Sequence, residues 1–460
     1  ERRQLHCALC IARCGSIALV QDGRLLALEP DPSHPSGQAL CAKGRAAPEL
    51  VHHPERLLHP MRRTRPKGAA DPGWQRISWE EAMATTAAAL RRIADTHGPR
   101  AVAFSRASGS CTAMNDAGGW ITRLMRAFGA VNSMNNVDIC GWGRGFATRY
   151  TFGVGSVGTG GAGGAMPDID NAGCLLLWGY NPSMSRLTHA TATIAALKRG
   201  MKLIVVDPRH VGLAAKADLW LRVRPGTDGA LALGIAQVMI ARGWYDRDFL
   251  RDWSNGPLLV REDSGRLLRL AEVDPAADPA LLLAWDEAAG APLPYDPRSG
   301  RYGREGAVPA LEGARELRTA SGGRIACRTA FARYAELCAA WPPARVAQTC
   351  WIEAAQVEQA ARLIWQSRPL AYYAWSGHEQ HTNSTRRKRR RWGWPTARSA
   401  PHAGIRSPPR NSIAACWKAC PIRCAGWSPS AATCCSPTPI RCAGERRWRR
   451  WTSASMPTSS

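Results

Sequence analysis

The chain has 460 residues, 45% of them hydrophobic, with 61 Lys+Arg against 36 Asp+Glu and a formal net charge of +25. That length holds roughly two to four domains, and the hydrophobic share suffices for sizeable cores. No apolar run reaches the roughly 18 residues a membrane span needs, so a soluble chain without direct membrane insertion is expected. The charge is unevenly placed: residues 386–460 hold sixteen basic residues and one acid, Glu445, so +15 of the charge lies there and an ordinary +10 on the rest.

Four cysteines open the chain in the pattern C-x2-C-x3-C-x26-C: Cys7, Cys10, Cys14 and Cys41, the last followed by Ala42-Lys43-Gly44. Three thiolates from one tight loop and a fourth from a distance can occupy the corners of a tetrahedron around a cubane iron–sulfur cluster. Apolar runs at 16–21 and 24–29 flank Asp22-Gly23, a strong hairpin signal that brings Cys41 back. Zinc accepts the same thiolates at similar separations and stays open on spacing alone. A thiolate-held cluster calls for reduced sulfur, so the sixteen cysteines read as ligands and core residues, not as a disulfide framework.

Ser78-Trp79-Glu80-Glu81 is a capping box that starts a helix running to about His97-Gly98. A strand at 100–104 and a helix near 117–128 follow. Residues 174–178 form a wholly apolar strand, as in a sheet covered on both faces. Next come a helix at about 186–198, strands at 203–206 and 219–223, and a long helix capped by Asp228 through Ala241. Residues 261–345 carry no assignable pattern. A later helix with Val357, Ala361 and Ile364 on one face leads to a strand at 370–375. Strands alternating with helices predict parallel sheets of the nucleotide-binding type, whose ligand sites lie in loops beyond the carboxyl ends of the strands. Those loops here are Gly179-Tyr180-Asn181-Pro182-Ser183, Asp207-Pro208-Arg209 and Pro225-Gly226-Thr227-Asp228. Taken singly, Asp-Pro-Arg is a common turn and Pro-Gly-Thr-Asp a common helix start.

The cysteine loop with its C-A-K-G, the run Arg56-Leu57-Leu58-His59-Pro60-Met61-Arg62-Arg63, and the ordered series G-x-N-P, D-P-R, P-G-T-D together resemble the large subunits of molybdopterin oxidoreductases of the dimethylsulfoxide reductase and formate dehydrogenase type. The resemblance runs over roughly residues 5–385. It implies an α/β fold: an N-terminal [4Fe-4S] domain at 1–65, then Rossmann-like parallel-sheet domains. One of these, at 66–172 and 368–385, would carry the metal-ligand loop; the other, at 173–367, would bind dinucleotide. By the same resemblance Cys7, Cys10, Cys14 and Cys41 hold the [4Fe-4S] cluster, and Lys43 lies between cluster and pterin on the electron path. Asn181, Asp207, Arg209, Thr227 and Asp228 receive one molybdopterin guanine dinucleotide, while Gly377, His378 and His381 contact the second of a bis-molybdopterin guanine dinucleotide pair.

The segment Val137-Asp138-Ile139-Cys140-Gly141-Trp142-Gly143-Arg144-Gly145 matches the family's metal-ligand loop, and a soft thiolate at Cys140 suits molybdenum or tungsten. Arg144 presents a fork that matches the paired oxygens of an oxyanion substrate, or else forms a structural ion pair. Formate is disfavoured, because Gly141 and Trp142 stand where formate dehydrogenases place histidine after the metal ligand. Seven glycines between Gly153 and Gly164 suggest a mobile loop over the pocket or a tolerated insertion. The implied chemistry is two-electron oxygen-atom or hydride transfer, Mo(VI) to Mo(IV) and back, on a small-molecule substrate. Electrons would leave through a separate iron–sulfur subunit, with a membrane anchor subunit as a further candidate partner. A cytoplasmic location is expected, or a periplasmic one should a leader precede Glu1.

The last segment, 386–460, follows no helix or strand period. It is rich in Arg, Pro, Ser, Trp and Cys, including six of nineteen tryptophans and six of sixteen cysteines. Such composition is what a GC-rich gene yields in a shifted frame, and nothing after Arg386 resembles the barrel-like domain that ends family members. A disordered tail that contributes little to folding is expected. Two other readings stand beside the enzyme: a non-catalytic iron–sulfur remnant, and a nucleic-acid binder using Arg386-Arg387-Lys388-Arg389-Arg390-Arg391-Trp392 for phosphates and stacking. Resequencing across codon 386 tests the frame: a shift is expected there, and an intact frame giving the same tail refutes it.

Overall fold

A computed structural model describes residues 1–10, 12–106, 113–135, 147, 151 and 168–375. The described chain is α/β and divides into two compact units, one built on Glu1–Asp248 and resumed from Arg333, the other on Phe249–Ala332. No described helix is long and apolar enough to cross a membrane.

At the amino end, strands Arg2–His6, Gly15–Gln21 and Arg24–Pro30 form an antiparallel sheet in sequence order. Asp22 (φ 49°) and Gly23 (φ 75°) are both left-handed, the backbone that a tight hairpin between right-twisted strands demands. The helix Trp79–His97 begins where its sequence says, with Ser78 Oγ accepting from the Glu81 amide at 3.1 Å. Only that half of the capping box forms, because the Glu81 carboxylate pairs with Arg62 instead. The strand expected at 100–104 lies at Ala103–Arg106, after a 3-10 turn at Pro99–Ala101. It pairs in parallel with Asn132–Asn135 across the helix Ala113–Phe128.

The centre of the first unit is a four-stranded, wholly parallel sheet in the order Leu219–Leu221, Lys202–Val206, Cys174–Trp178, Leu370–Ala374. Both faces are covered. Cys174, Leu176 and Trp178 pack with the helices Asp228–Ala241, Pro343–Cys350 and Ala354–Gln366, whereas Leu175, Leu177, Leu203 and Val205 pack with Leu187–Lys198 and Gly212–Lys216. The unbroken apolar reading of these strands follows from that two-sided burial. Strand Leu370–Ala374 therefore corrects the sequence reading of 368–385: it belongs to the sheet of 173–367, not to the part formed by 66–172. Asp228 is also corrected as a cap. It is the first residue of its helix, which has no side-chain cap, and its Oδ1 accepts from Trp178 Nε1 at 2.8 Å.

The second unit fills the stretch left unassigned above. Leu259–Arg261, Arg324–Thr329 and Ala314–Arg318 form one antiparallel sheet, and Leu282–Asp286, Ala291–Asp296 and Arg301–Tyr302 another. Buried Asp286 ties the second sheet's loops together, accepting from Arg304 at 2.7 Å and from the amides of Ala288 and Val308 at 3.0 and 3.2 Å.

Leu203→Ala, at a fully buried position of the central sheet, is expected to cost about 2–5 kcal/mol. Leu26→Ala, at a half-exposed position, should stay within about 0.5 kcal/mol. Urea unfolding of the two variants checks this by their midpoints.

Candidate cluster and cofactor site

The first sheet sets the cysteine loop. Cys7 N–H donates to Cys14 O at 2.8 Å, closing the turn that carries Cys10, and Ala12 N–H donates to Cys10 Sγ at 3.4 Å. Cys41 stands at the start of the short helix Ala42–Arg45, brought back by the third strand and the turn after it. All four thiols are free, and all four line one cavity of about 480 Å³ together with Lys43 and Gly44. Glycine leaves room at 44: a Cβ there would lie 2.4 Å from Leu40 Cδ1, so the buried Leu40 side chain would have to shift. Burial pushes the Cys14 thiol up to about 11, with the charges of Cys10, Cys7 and Cys41 adding to the rise. Cys7 is raised in the same way by burial, reinforced by Cys10 and Cys41. Sulfurs that oppose one another's ionisation are relieved by a shared cationic centre. Among the described residues no three His, Cys, Asp or Glu side chains close on a single ion; the thiols ring a cavity instead.

A second cavity, of about 590 Å³, opens beyond the carboxyl ends of the central strands. Gly179 and Asn181 follow the strand Cys174–Trp178, Asp207 and Arg209 follow Lys202–Val206, and Trp375 follows Leu370–Ala374. This is the topological switch point of the sheet, since the chain runs from Cys174–Trp178 to its neighbour on one side and returns much later on the other. Asn181 Oδ1 is buried and accepts no hydrogen bond, which leaves it ready for a ligand N–H or O–H. Asp207 is buried and accepts the Arg209 amide at 2.8 Å, while the Arg209 guanidinium, 3.9 Å from the carboxylate, is exposed. The residues present therefore fit a dinucleotide: an orphaned acceptor, an acid at a strand end and an exposed cation.

Of the residues selected by sequence, this arrangement brings together Asn181, Asp207 and Arg209, and separately Cys7, Cys10, Cys14, Cys41 and Lys43. Thr227 and Asp228 do not line the second cavity. The Thr227 hydroxyl donates to Arg224 O at 2.7 Å, and Asp228 is buried against Trp178. Cys140, Arg144, the glycine run 153–164, Gly377, His378, His381 and the basic run 386–392 lie outside the described residues. Sequence reasoning missed the wall common to both cavities, formed by Ser183, Met184, Ser185 and Trp375. Its signal lay in the residues just after Asn181-Pro182 and in the tryptophan that ends the last strand.

Residues 56–388 match the family model described as molybdopterin oxidoreductase, and residues 4–53 match the molybdopterin oxidoreductase Fe4S4 domain. The chain belongs to the molybdopterin oxidoreductase family. A [4Fe-4S] cluster and molybdopterin with molybdenum are the cofactors that follow from these two domains. The chain is 32% identical over 252 residues to the thiosulfate reductase molybdopterin-containing subunit PhsA of Salmonella typhimurium, covering 54% of this chain and 31% of that protein. It is 33% identical over 252 residues to dopamine dehydroxylase of Eggerthella lenta, covering 54% of this chain and 24% of that one. Acetylene hydratase from Pelobacter acetylenicus shares the fold, with a TM-score of 0.55 at 23% identity over 82% of this chain and 40% of its own. The chain thus spans about a quarter to a third of the two curated relatives named.

In this member of the family, an aromatic cluster adjoins the shared wall, Tyr180 lying against Trp375. Tyr180 stacks on Tyr373 with ring centroids 4.5 Å apart, and the Tyr180 hydroxyl lies 2.9 Å from His189 Nδ1. Burial, then the nearby Arg186 charge, lowers the His189 pKa to about 3. The unfolded chain binds a proton at this histidine below its ordinary 6.5, whereas the folded chain does not until about 3. Stability is therefore complete above 6.5 and is lost as pH falls through that window, by up to about 1.4 kcal/mol per pH unit. Denaturant unfolding at pH 7, 6, 5 and 4 should show this slope in the wild type and a shallower one in His189→Gln.

Proposed function

We propose that this protein is a molybdopterin oxidoreductase catalytic subunit in which Cys7, Cys10, Cys14 and Cys41 hold the [4Fe-4S] cluster, and Asn181, Asp207 and Arg209 receive one guanine dinucleotide of a bis-molybdopterin cofactor. Cys140 ligates the metal. The observation that carries this reading is the shared wall: two cavities, one ringed by thiols and one at the switch point of a parallel sheet, meet across Ser183, Met184, Ser185 and Trp375. A one-electron centre and a two-electron centre must lie close for electrons to pass between them.

The bound group supplies two-electron transfer at the metal and one-electron transfer at the cluster. The residues of this chain do the rest. Asn181 Oδ1 accepts from the nucleotide, Asp207 accepts at a base or ribose edge, and the exposed Arg209 guanidinium faces phosphate oxygens. Lys43, on the rim of the thiol-lined cavity, holds a positive charge on the path between the two cofactors. Thr227 and Asp228 anchor the start of the helix Asp228–Ala241, the Thr227 hydroxyl on Arg224 O and the Asp228 carboxylate on Trp178.

The substrate class is a small oxidised sulfur or nitrogen anion. Arg144, four residues after Cys140, provides a fork for paired oxygens, and one relative is the molybdopterin-containing subunit of a thiosulfate reductase. A separate iron–sulfur subunit carries the electrons onward.

Anaerobic purification of the complete gene product tests the assignment. About four iron atoms per chain beyond any molybdenum, and a paramagnetic signal on dithionite reduction, are expected; zinc in place of iron, with no such signal, overturns it. Cys14→Ser should abolish that signal. Asp207→Ala should leave the signal intact and weaken cofactor retention by about 1.5–3 kcal/mol, as for a lost hydrogen bond involving a charged group, read as pterin and molybdenum content. Assays with thiosulfate, polysulfide, nitrate, arsenite and formate then rank substrates, with formate expected to be the poorest.

A further inference from the structure

Arg186 is 7% exposed and forms part of the wall of the thiol-lined cavity. Its Nη1 donates to the Tyr373 hydroxyl at 2.5 Å, and its guanidinium lies over the rings of Trp375 and Tyr373 at 5.0 and 5.9 Å. Nη2 is buried and donates to nothing. Neither the hydroxyl nor the rings carry a formal negative charge, and arginine does not escape burial by losing its proton. A buried, unpaired cation is costly unless an anion completes its surroundings. The cavity it faces is ringed by Cys7, Cys10, Cys14 and Cys41, whose thiolates bring negative charge. Lys43 lines the same cavity but is exposed, so solvent and salt screen its charge far more than that of Arg186.

We propose that Arg186 tunes the cluster of this chain from the wall of the thiol-lined cavity, its fixed and uncompensated charge favouring the reduced state. Reduction brings one electron and one additional negative charge into the cavity. The guanidinium gains and loses no proton, so its whole effect is electrostatic and appears as a higher reduction potential. Tyr373 holds the group in place: it is buried in the last strand, and its hydroxyl fixes Nη1. The proposal rests on the reading that those four thiolates hold a cluster.

The test is a dithionite titration of the complete protein, prepared without air and followed by the paramagnetic signal of the reduced cluster. Wild type, Arg186→Gln, Arg186→Lys and Tyr373→Phe are compared, with iron content measured for each. Poised at the wild-type midpoint, R186Q should show a reduced-to-oxidised ratio at least tenfold lower, a midpoint about 59 mV more negative for a one-electron couple. R186K, which keeps the charge, should stay within about threefold of wild type. An R186Q ratio within twofold of wild type overturns the proposal, as does an R186K shift equal to that of R186Q, which would mean packing rather than charge. Should R186Q fail to retain iron, Y373F decides: a fall of about threefold supports the proposal and an unchanged ratio overturns it. A wild type with zinc and no four-iron signal removes the cluster reading and this proposal together, whereas a normal wild-type signal with an unmoved R186Q removes the role of Arg186 alone.

Discussion

The return of Leu370–Ala374 to the free side of Cys174–Trp178 is the pairing on which the rest depends. It closes a parallel sheet whose other strands lie on the opposite side, and so creates a crevice where the connections diverge. Trp375, one residue beyond that strand, becomes a wall of both cavities, and Tyr373 within it stacks on Tyr180 and anchors Arg186. A strand separated from its partner by nearly two hundred residues therefore assembles the boundary between the cluster cavity and the cofactor cavity.

Electrostatics divides the two cavities. On one side burial, reinforced by the charges of neighbouring cysteines, raises the Cys14 and Cys7 thiols, a state that a cationic centre relieves. On the other, Asn181 offers an acceptor with no donor, and Arg209 a cation largely in solvent. On the wall of the thiol-lined cavity stands Arg186, buried without a carboxylate among the partners described. The surrounding aromatic groups supply shape and a hydroxyl but no countercharge, and the same environment keeps His189 neutral down to about pH 3.

The local readings that succeeded rest on short-range physics. The Asp22-Gly23 turn needs two left-handed residues in a row, the Ser78 cap needs only its own helix start, and Cys174–Trp178 needs only an apolar run too short for a helix. Those that failed needed a distant partner. Asp228 looks like a cap until Trp178 takes its carboxylate, and Glu81 looks like the second half of a box until Arg62 takes it. The sheets of the second unit escaped notice because their strands are two to six residues long. Their alternation is visible in Arg324–Thr329 only once burial is known.

By itself the sequence determined the identity and spacing of the thiols, the alternation of strands and helices, and the loops that follow the strands, because these are properties of neighbouring residues. Tertiary structure alone decided which loops meet. Asn181, Asp207 and Arg209 converge because their strands lie side by side in the middle of the sheet, while Thr227 and Asp228, equally prominent in the motif series, turn toward the core. Arg186 acquired its surroundings in the same way, since the desolvation that makes a lone cation consequential arises only when chain segments far apart in sequence bury it together.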